Sequence, residues 1–175
     1  MRSFSTNLVW SPLPESLAHL TNGIRRTLES WDGTKYRSGQ RLRGVDADCI
    51  GFACSQLDLL DGRARACSPL LPTDAALHSP EKARNAVAAI RRMYDPAELV
   101  APGEDGKILA QPMDILVVES GASGPGHMML VGPDINTLWH CNFVSGVTKT
   151  GWSLFSGYER VFALYRLLDR ERWTA

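Results

Sequence analysis

The sequence lacks three features that would each point to a particular class of protein. It has no excess charge, because 19 Lys and Arg balance 19 Asp and Glu over 175 residues. This removes the long-range attraction expected of a nucleic-acid or anionic-membrane binder. No apolar run approaches the ~18 residues that span a bilayer. Four cysteines are too few for a disulfide scaffold in a chain of this length. We therefore predict no nucleic-acid partner, no membrane partner and no disulfide framework.

A recognisable secretion signal is also missing from the first residues. A signal peptide needs an apolar run of ~7–15 residues followed by a small-residue cleavage site. Residues 1–14 contain neither. We expect synthesis in a reducing cytoplasm, or export by a route other than an N-terminal signal. Either way, the cysteines are expected to be thiols or ligands rather than bridges.

What is present is the composition of a single globular domain, with 44% hydrophobic and 22% charged residues. Helical patterns come first along the chain. Apolar spacing predicts a helix from Glu15 to about Ser30, a second from Asp48 or Cys49 to about Leu60, and a third from Ser79 to about Tyr94. The carboxylate of Asp48 is well placed to cap the second helix.

Strand patterns come last. Runs of apolar and β-branched residues predict strands at 114–118, 127–131, 135–143 and 161–167. Segments rich in Gly, Pro and polar residues predict loops at 34–48, 63–80 and 95–112. Because helices precede closely spaced strands, the order predicts an α+β fold with an antiparallel meander rather than alternating βαβ units.

Cys49 is the candidate nucleophile. In the first turn of a helix, the macrodipole and the free N–H groups favour a thiolate. The alternative is a small buried apolar residue, the usual fate of a thiol. His127 and His140 lie on successive predicted strands and can become neighbours in an antiparallel hairpin. A thiol needs a base, and the base needs a third group to fix its tautomer. The three residues together predict nucleophilic catalysis.

A zinc site would use the same kinds of side chain. The possible ligands are Cys49, Cys54, Cys67, His127, His140 and Cys141. Their spacing is poor, because no Cys-x-x-Cys pair exists and Cys49 and Cys54 would be turned by ~500° around their helix. We therefore predict no metal and no cofactor, with structural zinc as the minor alternative. The other cysteines are expected to be packing residues or surface thiols.

Two consecutive segments resemble the nucleophile region of the NlpC/P60 cysteine peptidases. They are Trp-Asp-Gly-Thr-Lys-Tyr-Arg-Ser-Gly-Gln at 31–40 and Gly-Val-Asp-Ala-Asp-Cys-Ile-Gly-Phe at 44–52. Further on, three segments resemble the family's Pro-Gly-Asp-Leu, Gly-His-Val-Gly-Ile-Tyr and Ile-His-Ala strands: residues 111–116, 126–131 and 138–141. The resemblance covers about residues 31–168. It implies one papain-like domain over 1–175, with residues 1–30 as a helical extension.

The resemblance also implies a role for each matching residue. Cys49 would be the nucleophile, His127 the general base and later acid, and His140 the group that orients His127. Tyr36 would point its hydroxyl at the oxyanion, although an aromatic packing residue is the equal alternative. Asp48 would be structural, as cap and loop organiser. One departure from the family pattern is Met113, which stands where the family usually has glycine before Asp114.

The implied reaction is hydrolysis of an amide in the stem peptides of peptidoglycan. The ending at 159–166 also resembles the short versions that phages and gene-transfer particles carry at the tail tip. We therefore expect a virion-associated enzyme with tail-hub partners that acts in the periplasm or cell wall. Two alternatives remain open at this point. One is a Cys/His amidase or acyltransferase with another substrate, and the other is a structural tail-hub or adaptor protein on a peptidase fold.

Overall fold

The computed structural model describes residues 8–62, 97–120, 125–152 and 159–174. Two α-helices are present in these ranges, α1 (Thr21–Glu29) and α2 (Cys49–Asp61), with short 3-10 helices at Glu15–Leu20 and Arg170–Arg172. The strands are β1 (Leu8–Trp10), β2 (Lys35–Tyr36), β3 (Arg41–Leu42), β4 (Asp46–Ala47), β5 (Ala97–Leu99), β6 (Ile108–Ala110), β7 (Ile115–Ser120), β8 (Pro125–Val131), β9 (Thr137–Asn142), β10 (Gly146–Gly151) and β11 (Glu159–Leu167). The helix predicted at 79–94 and the connection at 63–80 lie outside the described residues. None of the described helices is long and apolar enough to cross a membrane.

The main sheet is antiparallel, with six strands in the order β10-β9-β8-β7-β11-β5. Strands β7 to β10 follow one another as a meander, and β11 returns to pair with β7 on its other side. With helix α2 packed against β8 and β9, this is the α+β architecture that the element order predicts. That prediction is confirmed.

The four predicted strands are present with slightly different bounds, whereas the loop predictions are wrong in two places. The predicted loop at 95–112 contains β5 and β6, and the predicted loop at 34–48 contains β2, β3 and β4. Strand β10 was not predicted at all. The strands inside these loops have two or three residues each. Strands β5 and β6 pair with β11 and β1, which lie far away in the chain, whereas β2, β3 and β4 pair with one another. Such strands exist only because of tertiary pairing, which a local pattern does not encode.

The first predicted helix is continuous in the sequence pattern but is split in the structure. Its first half is a 3-10 helix, and α1 begins at Thr21. In a 3-10 helix, residues three apart lie on the same side, which lets Leu17 and Leu20 both be buried. Pro14 precedes this turn and offers no side-chain cap. Helix α2 has the predicted bounds and ends at Gly62, whose positive φ of 65° suits glycine.

The sheet is buried on both faces. On one face, α1 and α2 form the main core, in which Ile24, Leu28, Phe52 and Leu57 meet Met128, Leu130 and Trp139. On the other face a second cluster includes Ile108, Met129, Val131 and Leu138. Because successive residues of a strand point to opposite faces, this explains why residues 128–131 are apolar without interruption.

Asp114 holds the C-terminal end of the chain against the sheet. Its buried carboxylate accepts hydrogen bonds from Arg166 Nη2 at 2.7 Å, from the N–H of Gln111 at 2.7 Å, and from Arg170. Burial lowers the pKa of the Arg170 guanidinium, and the charge of Asp114 opposes that shift. The preceding Met113 has φ of 67°, a left-handed conformation that favours the glycine found there in the family it resembles.

Candidate active site

Asp48 fixes the loop that precedes Cys49. One carboxylate oxygen accepts the N–H of Gly51 at 2.7 Å, and the other accepts the N–H of Gly39 at 2.6 Å. The N–H of Asp48 donates to Gln40 O at 3.1 Å. Asp48 is therefore the N-cap that the sequence predicts, and the same side chain fastens the loop at 39–40 to the start of α2.

Gly51 allows this loop to lie directly against the helix. A Cβ at this position would lie 2.3 Å from Gln40 O and 2.9 Å from Arg41 Cβ. Atoms cannot approach so closely without a shift of the backbone. Steric crowding by Gln40 and Arg41 therefore explains why position 51 is a glycine.

Cys49 is the first residue of α2 and is fully buried. Its helix packs against β8, which carries His127, and β9, which carries His140. Residues next to the histidines along the strands share the main core with Cys49, namely Met128, Trp139 and Cys141. The thiol of Cys141 also contacts Ala47 O at 3.2 Å, two residues before Cys49. The fold thus packs the elements that carry the three predicted catalytic residues against one another.

The two histidines meet through their side chains. His127 Nε2 lies 2.7 Å from His140 Nδ1, and the ring planes are inclined at 75°. Both histidine residues are partly buried. Strands β8 and β9 pair through their backbones at Leu130 opposite Trp139 and at Val131 opposite Leu138. The contact between the two imidazoles adds a side-chain link between the same two strands. The two histidines are therefore neighbours in the structure, and their catalytic roles stay predictions.

Burial keeps both imidazoles neutral near neutral pH. Burial, together with repulsion from a positive charge on the nearby His140, lowers the pKa of His127 to about 3. Burial lowers the pKa of His140 to about 4. A neutral imidazole can accept a proton. Since the Nε2 atom of His127 contacts His140, the Nδ1 atom of His127 is the one that can interact with a second group.

Tyr36 lies on β2, which runs beside β4, so that its Cα pairs with that of Ala47. The ring is partly buried against the main core. Tyr36 therefore has the packing role that was one of its two predicted roles. The oxyanion role stays a prediction.

Thr34 is a positioning residue that the sequence reasoning missed. Its Oγ1 accepts the N–H of Gly44 at 3.0 Å, and its carbonyl accepts the N–H of Val147 at 2.8 Å. A Cβ at Gly146 would lie 2.2 Å from the same carbonyl. Thr34 thus fastens the loop before the nucleophile to β10. The sequence feature that could have identified Thr34 is its position in the Gly-Thr-Lys-Tyr segment.

The metal alternative finds no site in the ranges that the structure covers. Among these residues, no three His, Cys, Asp or Glu side chains are grouped closely enough to hold an ion. The cysteines described here, Cys49, Cys54 and Cys141, are buried and form no disulfide. Cys67 lies outside the described residues.

Comparisons with known proteins agree with the architecture. No protein-family model matches the chain, and no curated protein matches its sequence. Among solved structures, NlpC2 from Trichomonas vaginalis superposes with a TM-score of 0.52 at 12% identity, over 100% of this chain and 51% of that one. The chain has the NlpC/p60 fold. The NlpC/p60 domain of the peptidoglycan hydrolase SagA also matches, with a TM-score of 0.45 and 16% identity over 81% of this chain and 97% of that one.

The predicted NlpC/p60 fold class is confirmed by the Trichomonas structure. The chain spans about half the length of the Trichomonas structure. At such low identity the likeness establishes the fold, and the chemistry has to be argued from the side chains of this chain.

Proposed function

We propose that this NlpC/p60-fold protein is a cysteine hydrolase that cleaves an amide bond in the stem peptides of peptidoglycan. The observation that carries the proposal is the 2.7 Å contact between His127 and His140 on strands packed against the helix that begins at Cys49. A nucleophile, a base and an orienting group are the minimum set for nucleophilic acyl transfer. The substrate class is supported by the name of SagA, a peptidoglycan hydrolase with the same kind of domain.

The base role requires one particular tautomer of the histidine pair. In it, His127 Nε2–H donates to His140 Nδ1, which leaves the lone pair of His127 Nδ1 to accept the proton of the Cys49 thiol. His140 then fixes both the orientation and the tautomer of His127. Since both imidazoles have a lowered pKa, His127 is neutral at rest and can accept the proton of the Cys49 thiol.

The reaction then follows the general course of thiol-dependent amide hydrolysis. The Cys49 sulfur bonds to the carbonyl carbon, and the oxygen takes the negative charge, which the N–H of Cys49 and the Tyr36 hydroxyl would stabilise. Collapse of this intermediate breaks the C–N bond, and the amine leaves with the proton held by His127. A water molecule, deprotonated by His127, then attacks the thioester, releases the acid and restores the thiol.

Substitution of the nucleophile tests this proposal. Cys49→Ala should abolish release of peptide fragments from purified peptidoglycan, measured by mass analysis of the soluble products. Cys54→Ala is the matched control, because it removes a second buried thiol from the same helix. Equal cleavage by Cys49→Ala and the unsubstituted protein would refute the mechanism.

The same digest distinguishes the two alternatives from the proposal. If an electrophile that mimics an amide labels Cys49 while no stem peptide is cut, we would infer an amidase or acyltransferase with another substrate. Absence of both labelling and cleavage would indicate a structural protein on a peptidase fold.

Delivery by a phage-like particle is a separate proposal that rests on the resemblance at 159–166. The whole of this segment lies in β11, between β7 and β5. It therefore has a role in the fold whatever carries the protein. Mass spectrometry of purified particles tests the proposal, and particles that lack this chain would contradict it.

A further inference from the structure

The neutral total charge conceals a basic segment next to the nucleophile. Residues 34–47 contain Lys35, Arg37, Arg41 and Arg43, with Asp46 as the acidic residue. Lys35 and Arg37 are exposed on the surface. Arg37 lies 3.5 Å from Asp46 and keeps 70% of its side chain exposed. This part of the surface is suited to anionic groups.

Three large apolar side chains are exposed beside this basic segment. Phe143 and Val144 form the turn between β9 and β10 and are each 81% exposed, and Val45 in the turn between β3 and β4 is 55% exposed. We call these three residues the apolar rim. Single exposed apolar residues are common, but neighbouring ones on ordered turns mark contact surfaces.

The turn that carries Phe143 and Val144 is held in one conformation. Asn142 Oδ1 accepts the N–H of Val144 at 2.9 Å and the N–H of Ser145 at 2.8 Å, and its Nδ2 donates to Ser145 Oγ at 2.8 Å. The turn closes at Gly146, whose φ is 72°. The exposed side chains are therefore presented by an ordered backbone, which lowers the entropic cost of binding.

Thr34 joins the two turns that form the apolar rim. It accepts the N–H of Gly44 at its hydroxyl, next to Val45, and it lies against Gly146 at the end of the other turn. The rim is also connected along the chain to the residues of the candidate site, because Phe143 follows His140 by three residues and Val45 precedes Cys49 by four. A peptide bound at Cys49 would thus have the rim and the basic side chains beside it.

We propose that the apolar rim, together with Lys35 and Arg37, binds the peptide portion of the substrate, an anionic chain with an aliphatic part. This inference rests on the proposed function, because the occupant is the substrate of that reaction. Two features support this occupant, namely the continuity of the rim with the site and the complementary charge of the two basic residues. The rim would hold the aliphatic part, and Lys35 and Arg37 would contact carboxylates.

A double variant of the rim tests the apolar half of the inference. Phe143→Ser with Val144→Ser should raise KM for a soluble anionic stem peptide about tenfold and leave kcat unchanged, because the chemistry is untouched. Ile135→Ser is the matched control, since Ile135 is 69% exposed in the turn at the opposite end of β9. It should leave both constants unchanged. An unchanged KM in the double variant would overturn the inference.

Removal of the two positive charges tests the basic half of the inference. Lys35→Gln with Arg37→Gln should raise KM for the anionic peptide several-fold, and its KM should respond less to added salt. Arg172→Gln is the control, because Arg172 is an exposed cation at the far C-terminal end with 60% of its side chain exposed. An equal KM and an equal salt response in the double variant would overturn this half.

A binding experiment separates this inference from the proposed reaction. If the unsubstituted protein cuts no peptide, equilibrium binding of the same stem peptide to the Cys49→Ala protein replaces kinetics. Weaker binding after the rim substitutions would support the rim, and equal binding would overturn it. If instead the protein self-associates and the rim variant is monomeric in sedimentation, the rim is an interface between copies and the inference is wrong.

Discussion

Two buried carboxylates in this protein are satisfied in different ways. Asp48 is 2% exposed and receives the neutral N–H groups of Gly39 and Gly51, whereas Asp114 is fully buried and receives the guanidinium groups of Arg166 and Arg170. The N–H donors of Gly39 and Gly51 fasten a loop to the start of the helix that carries Cys49. Cationic donors neutralise the carboxylate and join distant parts of the chain. The comparison suggests that Asp48 serves the site and Asp114 serves stability.

The largest effect on stability is expected at Asp114. Asp114→Ala leaves two guanidinium groups, one of them buried, without their anion. Removing one partner of a buried ion pair costs about 3–5 kcal/mol. Urea denaturation should show a loss of that size in the free energy of unfolding. A loss below ~1 kcal/mol would mean that the cluster contributes little, as exposed ion pairs do.

Compared with substitution of Asp114, substitution of Asp48 is expected to lower stability less and catalysis more. Asp48→Ala removes the N-cap and should cost about 1–2 kcal/mol of unfolding free energy. It should also lower kcat per folded molecule, because the loop and the first turn of α2 are no longer fastened together. Asp48→Asn keeps an acceptor for one N–H group, so its free energy of unfolding and its kcat should lie between those of Asp48→Ala and of the unsubstituted protein. A normal kcat in Asp48→Ala would show that the cap does not position Cys49.

The histidine pair should make stability depend on pH. Since the folded-state pKa values are lowered from 6.5 to about 3 and about 4, the unfolded chain binds more protons between those values and 6.5. The stabilising contribution is present above about pH 6.5 and is lost as the pH falls toward 4 and 3. His127→Gln with His140→Gln should flatten this dependence, measured by denaturation from pH 4 to 8. An unchanged slope would contradict the lowered pKa values.

The smallest effect is expected from an ion pair on the surface. Arg25 and Asp134 join α1 to the turn between β8 and β9 at 2.8 Å, and their side chains are 36% and 37% exposed. Such pairs contribute about 0–1 kcal/mol. Asp134→Ala should therefore change the unfolding free energy by less than ~1 kcal/mol. A loss similar to that of Asp114→Ala would remove the contrast between buried and exposed carboxylates.

Much of the fold could be predicted from local pattern. Helix α2 was predictable because its apolar spacing, its Asp48 cap and its Gly62 stop agree with one another. Strands β7, β8, β9 and β11 were predictable because their residues are apolar on one or both faces, whereas β10 was not predicted. Strands β2 to β6 were not, since each has only two or three residues and exists through its pairing. Strands β5 and β6 pair with β11 and β1, far away in the chain, and β2, β3 and β4 pair with one another.

The candidate site shows the same division. His127 and His140 were expected to meet because a hairpin brings successive strands together, and they do. Thr34, Gly146 and the apolar rim were not found, because their importance comes from two turns that meet in space. No spacing rule connects Val45 with Phe143.

By itself, the sequence determined the helix that begins at Cys49, the strands that carry the histidines, and their order in the chain. These depend on short-range periodicity and capping, which are physical properties of contiguous residues. Only the tertiary structure decided that the loop at 34–47 is fastened to β10, that both imidazoles are buried enough to stay neutral, and that Asp114 holds Arg166 and Arg170. Burial and long-range pairing are properties of the packed chain, because they depend on which distant groups exclude water from one another.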